Sequence, residues 1–120
     1  MKKILLLSSL LFIFTTPVWA DDQKDQRIIA AAAQNQMTVA QALKAVKDTP
    51  VTVDGVIFAK IKHEHYQLKD HTGVINVEID DDLASTRQLS KGTKIRVIGE
   101  IDTHRYKAKD IDAVKIEFLK

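Results

Sequence analysis

From Val51 onward the sequence reads with a period of two. The segments "VTVDGVIFAKI", "YQLKD", "VINVEID", "KIRVIGEID" and "AKDIDAVKIEFL" set apolar residues at alternate positions. Successive side chains of a strand point to opposite faces, so each segment buries one face and wets the other. Ile75, Val77 and Ile79 make one inward row, and Ile95, Val97, Gly99 and Ile101 a second. Tyr66 and Leu68 make a shorter one, and Val114, Ile116 and Phe118 the last. Gly55 breaks the phase of the long first segment. A glycine inside a strand pattern marks a bulge, where the strand can bend. Between the third and fourth segments, "DDLASTRQLSKGT" leaves room for a helical turn, with Gly92 in the turn that follows. The pattern predicts an all-β domain of five strands.

The N-terminal residues have a different logic. "MKK" is a short cationic opening, "ILLLSSLLFIF" an apolar run, and "TTPVWA" places Val18 and Ala20 at the small-residue positions of a cleavage site. This is the grammar of a secretory signal peptide over residues 1–20, cleaved after Ala20. The apolar run is short for a membrane span, no second one follows, and there is no cysteine to carry a lipid. A secreted, soluble chain without a transmembrane anchor is expected. Lys2 and Lys3 account for the whole formal excess of +2, so the remainder is near neutral. The remaining chain, about 100 residues, is the size of one small domain.

Residues 21–36, "DDQKDQRIIAAAAQNQ", are alanine-rich with little bulk to bury, which fits a frayed helix or a flexible tether. Thr38 and Gln41 then form the T-x-x-Q pattern of a capping box. Val39, Ala42, Leu43 and Val46 recur at helical spacing behind it, and Pro50 ends the segment. A short capped helix followed by five strands, with a helical turn after the third, is the element order of a five-stranded OB-fold barrel. The domain is expected over residues 37–120. Closing the sheet would remove most of its exposed edges.

Across residues 37–118 the chain is similar to the bacterial OB-fold (BOF) family of small periplasmic proteins. "TVAQALKAVKDTPVTVDGVI", "YQLKDHTGVINVEID" and "KIRVIGEID…IDAVKIE" carry the resemblance, with Asp70 and Gly73, the strand "INVEID", and Gly99, Glu100 and Asp102 its most specific pieces. The resemblance implies a periplasmic, non-enzymatic binding protein tied to envelope and stress responses. It departs in "DDLASTRQLSKG", which lacks the aromatic that the family often carries there.

The chemistry-bearing residues are few. "KIKHEHYQLKDH" holds three of the four histidines. If extended, His63 and His65 would share a face about 6–7 Å apart with Glu64 turned away. Two ligands are fewer than a zinc site uses, and a solvated hairpin turn accounts for the same residues. In "EIDDD", Glu78, Asp80, Asp81 and Asp82 offer carboxylates to a hard cation such as Ca²⁺. Alternatively, Asp81 or Asp82 caps the following turn. The basic residues are interleaved with acids, and only Tyr66 and Tyr106 offer stacking platforms, which argues against nucleic acid as the partner. No cysteine and no G-x-S-x-G motif is present, and no cofactor is implied. The expectation is a groove across the second and third strands that takes an envelope glycan, peptide, small molecule or protein. Its candidate contacts are Tyr66, Lys69, Asn76, Glu78, Arg96 and Tyr106. A metal-responsive hairpin using His63 and His65 is the alternative, and a protein-interaction adaptor without a small ligand a third.

Overall fold

The computed structural model describes residues 20–120. The expected signal peptide lies outside the described residues, apart from Ala20, where the first helix begins. The elements are α1 (Ala20–Ala32), α2 (Val39–Lys44), β1 (Pro50–Lys62), β2 (His65–Asp70), β3 (Gly73–Glu78), β4 (Lys94–Asp102) and β5 (Asp110–Phe118). The strands close into a barrel in the order β1-β2-β3-β5-β4. Every neighbouring pair is antiparallel except β3 and β5, which run parallel.

β1 serves two partners. Pro50–Val56 pair with β4, and Val56–Lys62 pair with β2. Gly55 sits at this corner but is not the bulge that the sequence suggests, because it pairs regularly with Ile95. The irregularities fall between Ile57 and Ala59 and between Lys60 and Lys62. The absent side chain matters for a different reason. A Cβ on Gly55 would lie 2.7 Å from the Lys69 carbonyl oxygen and 2.9 Å from the Leu68 side chain. The glycine lets β2 cross close over the bent strand.

The inward rows of β1 to β4 meet in one core. Val51, Val53, Tyr66, Leu68, Val77, Ile95, Val97 and Ile111 are fully buried in it. β5 joins this core out of the expected phase. Ile98 faces Lys115 and Gly99 faces Ala113, which leaves Val114 as an extra residue. Ahead of this bulge the inward residues are Ile111 and Ala113, and beyond it Ile116 packs against the core. Val114 and Phe118 therefore do not complete a buried row with Ile116, and Phe118 stays exposed.

α2 plugs one end of the barrel with Val39 and Ala42, both fully buried. The expected capping box is present, with Thr38 and Gln41 exchanging hydrogen bonds. A second set of caps comes from the β2–β3 turn. Asp70 Oδ2 accepts from the Val39 amide at 2.9 Å, and Thr72 Oγ1 accepts from the Ala40 amide. Asp70 Oδ1 also accepts from the Thr72 and Gly73 amides. At the other end, Lys109 Nζ donates to the carbonyls of Leu43 and Ala45, where a helix dipole favours a cation. The helix is shorter than its apolar spacing suggests. Ala45 is already extended, so Val46 lies past its end and is 74% exposed.

Residues 20–32 form a docked helix instead of a tether. Ile28 and Ala32, one turn apart, are buried, as are the outward residues Thr52 and Ile98 on β1 and β4. The Thr52 hydroxyl donates to the Ala32 carbonyl at 2.8 Å, and the Asn35 amide donates to the Pro50 carbonyl. The segment between β3 and β4 supplies single hydrogen-bonded turns, with the Leu89 amide donating to the Ser85 carbonyl.

Two substitutions test this architecture. A Cβ at Gly99 would overlap the Asp112 carbonyl oxygen and crowd Ala113 at 2.9 Å. Gly99→Ala should therefore lower stability by about 1–3 kcal/mol in urea unfolding. Asp70→Ala should cost about 1–3 kcal/mol, the range for a lost helix cap and charge-assisted hydrogen bonds. Partial burial works to raise the Asp70 pKa, but hydrogen bonds from the Thr72 side chain and from the Val39, Thr72 and Gly73 amides hold it below 3.8. A depressed carboxylate stabilises fully above its unfolded pKa, and that stabilisation fades as pH falls through the folded value. The gap between wild type and Asp70→Ala should accordingly narrow in acid.

Candidate functional site

The parallel pairing of β3 with β5 sets Glu78 opposite Asp112. On the other side of β5, Glu100 of β4 also lies opposite Asp112, and Asp102 lies opposite Asp110. Five carboxylates from three strands therefore share one region of the barrel wall. The N-terminal part of α1 and the turn after β3 rise beside it and make a cleft of about 590 Å³. Asp22, Lys24, Asp25, Glu78, Asp80, Asp82, Glu100 and Asp112 line it, with Ile28, Leu83, Ala113 and Val114 as its apolar part. Lys24 is the one cation among these residues, and its Nζ stands 3.9 Å from Glu100 with most of its side chain exposed.

Asp112 bears the consequence. Its surface reaches water, yet packed neighbours surround much of its carboxyl group. Loss of hydration comes first, and repulsion from Glu78, Asp102, Asp110 and Glu100 adds to it. Together they push its pKa up to about 6.

The histidine-rich stretch does not form the site drawn from the sequence. His63 and Glu64 are the two turn residues between β1 and β2, and Glu64 has a φ of 66°. A turn, unlike a strand, does not hold alternate residues on a common face. His63 Nε2 contacts the Asp81 carboxylate, and Glu64 Oε2 accepts from the Asp81 amide at 2.8 Å. His65 opens β2 and belongs with Glu78 and Asp110, so the two histidines serve different neighbours. The cap after β3 is Asp80, whose Oδ1 accepts from the Asp82 amide, in place of the Asp81 or Asp82 expected there.

The six candidate groove contacts do not converge. Tyr66 is fully buried, its hydroxyl 3.3 Å from Thr86 Oγ1, so its ring is closed to a ligand. Arg96 is held by two hydrogen bonds to Asp54 and one to Glu117. Tyr106 is 91% exposed in the β4–β5 loop. Lys69 lies over the Phe58 ring at 5.0 Å, and Lys91 approaches the same ring at 5.5 Å. Asn76 and Glu78 remain half-buried on β3. Asp110, Asp112 and His104 escaped the sequence reading. Asp110 and Asp112 flank Ile111 and so share a strand face, a signal that gains meaning only once β5 is set beside β3.

The family model for "Bacterial OB fold (BOF) protein" matches residues 14–118. The chain belongs to the bacterial OB fold family. The calcium-regulated OB-fold protein CarO of Pseudomonas aeruginosa is 35% identical over 89 residues, covering 74% of this chain and 76% of its own. Protein YgiW of Escherichia coli K12 is 26% identical over 127 residues, covering 98% and 93%. The solved YgiW structure superposes with a TM-score of 0.64 at 29% identity, over 71% of this chain and 90% of that one. The telomere capping protein Ten1 of Saccharomyces pombe shares the fold at 12% identity, with a TM-score of 0.55 over 70% and 79% of the two chains. No helix among the described residues is long and apolar enough to cross a membrane.

Asp112 supplies a test of the crowded wall. A carboxyl whose folded pKa exceeds its unfolded value binds its proton more tightly in the native state. Stability then falls as pH rises from about 4 to above 6. Asp112→Asn should raise the thermal midpoint at neutral pH and change it little near pH 4, as read by thermal unfolding at both conditions.

Proposed function

We propose that the protein is a secreted, periplasmic, non-enzymatic binding module that holds a multiply charged organic cation in the acidic cleft and serves an envelope stress response. One observation carries this reading. A concave space of ligand size is lined by seven carboxylates and one ammonium group. An amine ligand would relieve the repulsion around Asp112, and the apolar strip of Ile28, Leu83 and Val114 suits the methylene chain between two amines. The periplasmic part rests on the signal-like residues 1–20 and on the family.

A second reading has its own observation. Phe58 is partly exposed, with Lys69 and Lys91 at its ring and His71 lining the same hollow. An aromatic face beside two ammonium groups suits an anionic envelope glycan. This moves the stacking role from Tyr66 to Phe58 and keeps Lys69.

Thermal unfolding with spermidine and, separately, with an acidic oligosaccharide separates the two. A ligand that binds only the native state raises the midpoint by mass action. Spermidine should raise it, less so at high salt, and the rise should vanish in Glu100→Gln/Asp112→Asn. A rise that persists in the double variant, or none at all, would defeat the cleft reading. A rise with the oligosaccharide alone, lost in Phe58→Ala, would establish the second.

A further inference from the structure

We infer that His65, Glu78 and Asp110 form a binding site for a divalent first-row transition ion, with Zn²⁺ the best match. The three residues meet where β2, β3 and β5 adjoin. His65 lies opposite Glu78 in the β2–β3 register, and Asp110 opens β5 opposite Asn76. One imidazole nitrogen and one oxygen from each carboxylate all lie within 4.8 Å of one another. Donors around a tetrahedral Zn²⁺ stand about 3.4 Å apart, from metal–ligand bonds near 2.1 Å. Small rotamer adjustments would bring these three onto a common ion.

The surroundings favour an ion over a simple polar contact. His65 and Glu78 are half-buried, and neither side chain has a hydrogen-bond or ion-pair partner among the described residues. Asp110 is only 4% exposed. Two carboxylates drawn together with one of them buried are costly unless a cation is shared between them. Asp110 also has the support that metal ligands typically show. His104 Nε2 lies 3.1 Å from Asp110 Oδ1 and 3.9 Å from Asp102 Oδ2, an imidazole braced between two carboxylates behind the site. One imidazole and two carboxylates suit Zn²⁺ and leave a coordination position for water or a partner's donor. Ca²⁺ takes six to eight oxygens, more than this corner offers. The exposed His63, Glu64 and Asp81 group is a poorer candidate, because its members already bond one another. The inference stands apart from the cleft reading and shares only Glu78 with it.

Calorimetric titration of Zn²⁺ into the purified, untagged protein near neutral pH tests the site. Saturable binding of one ion per chain is expected. His65→Ala and Glu78→Gln should each weaken it by at least about tenfold, and His104→Ala by about 10–100-fold. His63→Ala and Glu100→Gln should leave it unchanged. Co²⁺ in place of Zn²⁺ should give visible absorption bands that disappear in His65→Ala. These positions are not fully buried, so the variants should fold where Asp110→Asn risks failing, and circular dichroism checks that they do. The inference is overturned by the absence of saturable binding, by binding that survives both His65→Ala and Glu78→Gln, or by loss of binding in His63→Ala. It is equally overturned if His104→Ala abolishes binding while His65→Ala does not.

Discussion

Three residue pairs close this barrel. Asn76 with Asp110, Val77 with Ile111 and Glu78 with Asp112 are the whole of the parallel seam between β3 and β5. On the inner side the seam brings Val77 and Ile111, both buried, into the core. Burying such side chains stabilises by about 1.5–3 kcal/mol each. On the outer side the same backbone pairing brings carboxylates into register, and the antiparallel partner β4 adds two more. The charge crowding thus follows from the geometry that completes the core. Hydrophobic closure holds acidic groups nearer to one another than they would settle in water.

What covers the outer wall then gives neighbouring groups different properties. Asp110 and Asp112 lie two residues apart on one strand. The β4–β5 loop brings His104 against Asp110, which is almost completely enclosed. α1 only flanks Asp112, leaving it at an open cleft with its proton held more tightly than usual. α1 takes its place through the Thr52 hydroxyl and the Asn35 side-chain amide, a few polar contacts that orient a helix that buries Ile28 and Ala32.

The sequence was most legible where side-chain period decides the structure. Alternation marked all five strands, and Thr38 with Gln41 marked the start of α2, because both signals are local. It was least legible where distant segments meet. The extra residue at Val114 shifts β5 by half a period, and nothing within "DAVKIEF" announces it, since the shift arises from pairing with Gly99 on β4. Gly55 was noticed for the right position and the wrong reason, because its crowding comes from β2. Tyr66 showed its burial in its phase with Leu68, yet its aromatic ring made it look like a stacking platform for a ligand. The acidic wall is a product of strand order. Glu100 and Asp112 are adjacent in space because of the crossover that places β5 between β3 and β4, and no local pattern encodes that.

That placement also sets a schedule. β5 is the last of the five strands to be synthesised, yet it lies between β3 and β4 in the closed sheet. β1, β2 and β3 can pair as they emerge, through short turns, but the seam must wait for residues 110–112. Folding governed by such distant contacts is slow compared with that of local hairpins. The barrel therefore stays open until residue 112 has been made.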